Sequence, residues 1–246
     1  MSKASATAKA FLASTRKLSK AVAKLPAGGP VTHIYNPLEY AWAGYEAYVT
    51  KFLGGPRRVV LLGMNPGPYG MTQTGVPFGA IPAVRDWMGI EVAIKQPAKV
   101  HPKRPIEGFA CKRNEVSGRR LWIDLFSEQF PNAKECFKTH FALNYCPLVY
   151  MIESGANFTP DKLPVAVRRP LEEACDTHLR EALEIIQPEW AIGVGNYAEK
   201  CLLRITEGMG KAPKVTRIIH PAPASPIANR EWPENPRKAL ADAGIW

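Results

Sequence analysis

Long apolar runs are missing from this chain, and no uninterrupted stretch in it is long enough to span a bilayer. Paired cysteines are missing too. Cys111, Cys136, Cys146, Cys175 and Cys201 are scattered and never form a CxxC, which argues against a zinc ribbon and offers no local iron–sulfur pattern. An odd count without a secretory signal fits a reducing, intracellular setting in which thiols are buried as small hydrophobes. There is no GxSxG elbow, no carboxylate cluster and no local Cys–His pairing, so hydrolase chemistry of the serine, metal or cysteine kind has no signature here. Phosphate-cradling glycine spacings, GxGxxG or GxxxxGK followed by Ser or Thr, are also absent. No metal or cofactor is therefore expected. Finally, the first 38 residues hold no acidic side chain.

What is present is a basic chain of ordinary apolar content. A formal charge of +10 and a pI near 9.4 favour polyanionic partners, nucleic acid first and an anionic membrane second. With 246 residues and 46% apolar side chains, the length suits one α/β domain with a short appendage. Residues 1–30 are expected to form a basic helical extension and residues 31–246 the domain. Between Ser5 and Leu25 the composition suits a helix bearing Lys9, Arg16, Lys17, Lys20 and Lys24. It can be read as a phosphate-binding arm, as a transit peptide or as a solvated cap on the core.

The chain is organised around Arg57 to Gly79. Val59, Val60, Leu61 and Leu62 read as a strand buried on both faces, and the glycines and prolines after it forbid helix or strand. A turn and an aromatic-rich helix are expected over His33–Leu53, a short helix over Ile81–Ile90, and an irregular basic excursion over Lys95–Lys112. Further strands are expected at Cys136–Leu143, Trp190–Val194 and Val215–Ile219, with helices through Trp122, Arg169–Ile186, Ala198–Leu203 and up to about Ala243. Such alternation predicts an α/β fold: a central, mainly parallel four-stranded sheet with helices on both faces. In that arrangement Asn65, Asn144, Asn196 and His220 end the four strands along one edge, where ligands of open α/β sheets bind. Asparagine is also an ordinary turn residue, and a lone histidine is more often structural.

The stretches GMNPGPYGMTQTGVPFG, EVSGRR, NYCPL and HPAPASPIAN together resemble the single-strand-selective monofunctional uracil-DNA glycosylases of the uracil-DNA glycosylase superfamily. The resemblance extends from Tyr35 to about Leu240. It implies that the fold is the uracil-DNA-glycosylase one, and that uracil is rotated out of single- or double-stranded DNA and cut from its sugar at the start of base excision repair. It further implies that Phe78 stacks on the base, that Asn144 reads its amide edge, and that His220 donates to O2 as charge develops. Asn65 stands where related branches carry an aspartate, so here it orients water without removing its proton. No lysine is marked as an imine-forming nucleophile, in keeping with a monofunctional enzyme.

Gly67 replaces the tyrosine of the uracil-restricted GQDPY pattern and leaves room beside C5, where the backbone of Met64 and Gly67 can hold a water. 5-Hydroxymethyluracil is then an expected substrate. Arg119 and Arg120 are candidate phosphate contacts. The loop of Pro223, Ala224 and Ser225 stands where vertebrate-type members carry an Arg–Asn wedge at the last two positions, and its small side chains favour unpaired DNA. The expected protein is a monomer acting on intracellular DNA, in the nucleoid or nucleus, with no membrane partner. Two alternatives remain: a relative excising hypoxanthine or xanthine, and a non-catalytic nucleic-acid-binding protein of the same fold.

Overall fold

The computed structural model describes residues 4–246. Its strands are β1 (Val31–Tyr35), β2 (Val59–Gly63), β3 (His140–Asn144), β4 (Val149–Ile152), β5 (Trp190–Val194) and β6 (Lys214–Ile218). Four of them form a parallel sheet in the order β3-β2-β5-β6. All five residues of β2 are buried, as are four each in β3 and β5, so the sheet centre is covered on both faces. That is why these strands read as continuous apolar runs without alternation. In register, Gly63 of β2 lies opposite Asn144 of β3, which brings two strand ends side by side.

Two expectations about local structure need correction. The second sheet strand does not begin at Cys136. Residues Ala133–Thr139 form a helix because the Asn132 side chain accepts from the Glu135 N–H at 3.0 Å, an N-cap that outweighs the apolar character of Cys136 and Phe137. Nor do residues 33–35 belong to a turn. β1 pairs antiparallel with β4 in a separate two-stranded sheet, with Tyr35 opposite Val149, a partner more than a hundred residues away.

The N-terminal helix Ala6–Val22 lies against the helix Val165–Ile186. Its Phe11, Leu12, Leu18 and Val22 belong to the same buried cluster as β2, β3 and β5. Phe11 meets Phe141 edge to face, with ring centroids 5.4 Å apart, and Ser14 Oγ lies 2.8 Å from His178 Nδ1. Lys9, Arg16, Lys17 and Lys20 occupy the exposed side of that helix. The extension thus has no core of its own. Each of its large apolar side chains contributes roughly 1.5–3 kcal/mol by burial. Tyr35, Tyr40, Tyr45 and Tyr48 are likewise buried, so the aromatic density of residues 33–53 builds core and is not offered to bases.

Candidate active site

A pocket of about 360 Å³ opens at the carboxyl edge of the parallel sheet, within the usual size range of small-molecule sites. Its wall includes Met64, Asn65, Gly67, Phe78, Asn144 and His220, so six residues expected at the site converge there. A larger groove of about 880 Å³ lies between the N-terminal helix and the helix Trp42–Phe52. Its lining contains none of the residues that end the sheet strands, and we place the chemistry in the smaller pocket.

The floor follows from a close approach. A Cβ at Gly63 would collide with the Asn144 amide oxygen and the Phe78 ring, so only glycine lets both side chains rest against the end of β2. Phe78 holds φ at +53°, the left-handed region that non-glycine residues rarely adopt and that costs about 1–3 kcal/mol. Its carbonyl accepts from the Ala80 N–H at 2.8 Å, which fixes the turn. The Asn144 Nδ2 donates to Met71 Sδ at 3.3 Å, which leaves Oδ1 and the second amide hydrogen free for a ligand.

Asn65 is oriented by its surroundings. Its Nδ2 donates to the Leu148 carbonyl at 3.3 Å and to Asn157 Oδ1 at 3.4 Å, so Oδ1 is the atom left to accept from a water. His220 accepts at Nδ1 from the Ala222 N–H at 3.1 Å. An acceptor at Nδ1 places the proton of the neutral ring on Nε2, which is then a donor. Burial pushes the imidazole pKa below its ordinary value and favours this neutral form.

The pocket loop is held from outside by Gln73, whose Oε1 accepts from the N–H groups of Glu107 and Gly108 at 2.8 and 3.1 Å. Its Nε2 donates to the carbonyls of Pro68 and Pro105. The basic excursion of residues 95–112 is thereby a buttress of the site, and Arg104 adds a bond to the Tyr69 hydroxyl at 2.7 Å.

Other expected residues sit differently. Asn196 ends β5 as foreseen but is exposed, starts the helix Asn196–Thr206 and does not line the pocket. Gly67 lines the pocket, and a Cβ on it would collide with the carboxyl of Glu115. Arg120 is turned inward, donating to the carbonyls of Pro221 and Ala222 at 3.1 and 3.5 Å and to Asn229 Oδ1 at 2.9 Å. Arg119 is exposed, with Asp124 Oδ1 at 3.5 Å as an ion-pair partner of little energetic weight. Pro223 and Ala224 are exposed, whereas the Ser225 hydroxyl accepts from the Ala228 N–H and caps the helix Pro226–Glu231. Glu115, Ser117, Asn157 and Thr159 line the pocket without having been singled out. Only for the first two was there a signal, the motif EVSGRR, whose arginines drew attention from its glutamate.

All five cysteines are free and buried. No lysine lines the pocket among the described residues, and none of their helices is long and apolar enough to cross a membrane.

A parallel sheet carrying a compact, amide- and imidazole-lined pocket at its carboxyl edge defines an α/β protein built to hold a small flat polar ligand. The chain matches the family model for the uracil DNA glycosylase superfamily over residues 52–243, and it belongs to that superfamily. It is 40% identical over 238 residues to the single-strand selective monofunctional uracil-DNA glycosylase of Rattus norvegicus, a match covering 97% of this chain and 85% of the relative. The Mus musculus protein of the same description is 39% identical over the same length and coverage. A match of 238 residues leaves too few outside it to exclude the N-terminal helix, contrary to the expected start at Tyr35. The fold is similar to the crystal structure of Pedobacter heparinus SMUG2, with a TM-score of 0.63 at 16% identity, covering 95% of this chain and 94% of that one.

Proposed function

We propose that the protein is a monofunctional uracil-DNA glycosylase that hydrolyses the N-glycosidic bond of uracil in DNA and begins base excision repair. The observation that carries this reading is the convergence of Phe78, Asn144, His220 and Asn65 on one pocket of base size. A nucleotide rotated out of the strand places its base on Phe78, at an unstacking cost of a few kcal/mol that single strands reduce. The free amide hydrogen and Oδ1 of Asn144 match the O4 acceptor and the N3–H donor of uracil. Cytosine presents the opposite pattern.

As the bond between C1′ and N1 breaks, its electron pair goes to the base and negative charge grows at O2. The Nε2–H of His220 donates there. Because the ring is neutral and already fixed by Ala222, no reorganisation is needed, and such a donor is worth about 3–4 kcal/mol. The sugar is left electron-poor, and a water held at Asn65 Oδ1 adds to C1′. That water's proton passes to solvent, and the uracil anion, held at O2 by the Nε2–H of His220, takes a proton from solvent as it leaves. An amide cannot act as a base at neutral pH, so bond breaking runs ahead of attack. The product is an abasic site.

A pocket wall at Gly67 that brings no side chain of its own supports 5-hydroxymethyluracil as a second substrate. Action as a monomer is part of this proposal. The exposed Arg119 and the loop at Pro223 and Ala224 are left to face DNA inside the cell. The test is incubation with single-stranded DNA containing uracil or hypoxanthine, followed by alkali. Strand cleavage at uracil is expected. Cleavage only at hypoxanthine would reassign the substrate, and binding without cleavage would show a protein that retains the fold alone.

A further inference from the structure

Four groups of the pocket have a use in excision, and one ionisable group on its wall has none. Glu115 lies 48 residues beyond Gly67 in sequence, just before the helix that starts at Val116, yet its carboxyl presses against Gly67 and Gly70. A Cβ at either glycine would run into it. Oε2 accepts from the Tyr69 N–H at 3.3 Å. Among the described ion pairs none involves Glu115. Burial raises its pKa above the usual carboxylate value, against the pull of the Tyr69 and Ser117 N–H groups. A carboxyl shut into a site without a cation is costly unless something there makes use of it.

Its place in the pocket indicates the use. A pyrimidine offers three edges besides its bond to the sugar: O2, the N3–O4 amide, and C5–C6. His220 takes the first and Asn144 the second. The third faces what remains of the wall, where Gly67, Pro68, Gly70, Glu115 and Ser117 meet. The two glycines bring no side chain, so Glu115 and Ser117 supply the polar side-chain atoms of that wall, and of these only Glu115 is ionisable.

We propose that Glu115 is the residue that reads the substituent at position 5 of the flipped pyrimidine, its carboxylate accepting the hydrogen bond of a 5-hydroxymethyl group. This inference rests on the uracil-excising reading above and adds a specificity-determining residue to it. Uracil itself leaves a gap that water fills between C5–H and the carboxyl. The methyl group of thymine displaces that water and returns no hydrogen bond, leaving a polar group buried unpaired, which is how sites of this kind reject an apolar isostere. Glu115 makes and breaks no covalent bond.

The experiment is single-turnover excision from single-stranded DNA carrying uracil, 5-hydroxymethyluracil or 5-formyluracil, by the full-length protein and by Glu115→Gln. The glutamine keeps a carbonyl for the Tyr69 N–H and turns an amide donor towards position 5. A hydroxymethyl group then loses its acceptor, and a formyl group, which only accepts, gains a donor. The 5-hydroxymethyl to 5-formyl rate ratio is expected to fall about tenfold. Glu115→Ala should lose the hydroxymethyl preference without gaining on formyl. An unchanged ratio in Glu115→Gln overturns the proposal. So does an equal loss on all three substrates with the melting temperature preserved, since Glu115 would then only hold the loop. Failure of the unaltered protein on uracil would instead overturn the glycosylase reading, so the two are told apart.

Discussion

The backbone N–H of Ala222 donates to Nδ1 of His220 across 3.1 Å, and this contact decides which ring nitrogen carries the proton. It converts the short HPAP sequence into a donor fixed in tautomer and direction. Replacing His220 by Leu should lower single-turnover excision by about a hundredfold or more and leave DNA affinity nearly intact. Stopped assays on single-stranded uracil together with a binding titration check both parts, and an unaltered excision rate would remove the leaving-group role.

The same contact sets a pH dependence. The pKa of His220 is lowered by burial, so the ring is neutral above the ordinary imidazole value of 6.5 and takes a proton only at more acidic pH. Protonation at Nδ1 would break the bond from Ala222. Excision should be flat from neutral pH upward and fall only below about 6.5. Stability follows the same sign at two other histidines. His140 and His178 have pKa values lowered by burial to about 4, so the unfolded chain takes protons first and stability drops from pH 6.5 towards 4. Denaturant midpoints at pH 7, 5.5 and 4.5 would show the loss, and His178→Asn should reduce it, leaving the share due to His140.

Neighbouring arginines are predicted to behave in opposite ways. Arg120 ties the carbonyls of Pro221 and Ala222 to Asn229, and Asn229 Nδ2 in turn donates to the Pro223 carbonyl at 2.9 Å. Arg120→Ala should therefore slow excision through a loosened His220 loop, with little change in how affinity depends on salt. Arg119→Ala should leave the excision step intact and reduce the salt slope by about one unit, the signature of a lost phosphate contact. Affinities measured across a salt series, with excision rates at saturating enzyme, distinguish the two. Identical slopes for all three proteins would show that Arg119 does not touch the backbone.

At the tip of that loop, Ala224 offers little volume and no donor to a duplex whose base has been flipped out. Ser225 cannot take its place, because its hydroxyl caps the helix Pro226–Glu231, whereas Ile227 projects a 45% exposed apolar side chain nearby. Ala224→Arg should selectively raise excision of uracil opposite guanine and adenine, with little change on single strands. Ile227→Ala should lower the duplex rates further. No gain on either duplex in a folded Ala224→Arg variant would show that this loop does not limit flipping.

Removing residues 1–25 should do more than trim a basic arm. It would expose the core surface that Phe11, Leu12, Leu18 and Val22 cover, worth roughly 1.5–3 kcal/mol for each side chain, against a total stability of about 5–15 kcal/mol. The truncated chain should be unfolded or insoluble. A soluble truncated protein with a sharp melting transition would show that the helix is dispensable to the core.

Local sequence was enough for the parallel sheet and for the residues that end its strands. Val59 to Leu62 is apolar at every position because β2 is covered on both faces, and the glycines and prolines after it end the strand whatever surrounds them. Asn65, Asn144 and His220 could be grouped for the same reason: each follows or ends a strand, and parallel strands bring their carboxyl ends together, whereas the stacking role of Phe78 came from the family resemblance. Contacts between distant segments left no such periodic trace. The pairing of β1 with β4, the burial of the N-terminal helix, the turn of Arg120 into the His220 loop and the placement of Glu115 against Gly67 each join segments that only the folded chain brings near. A charged side chain reads the same in sequence whether it faces solvent, a phosphate or a neighbouring carbonyl. Tertiary packing alone decided that Arg120 would hold a loop and that Glu115 would wall the pocket.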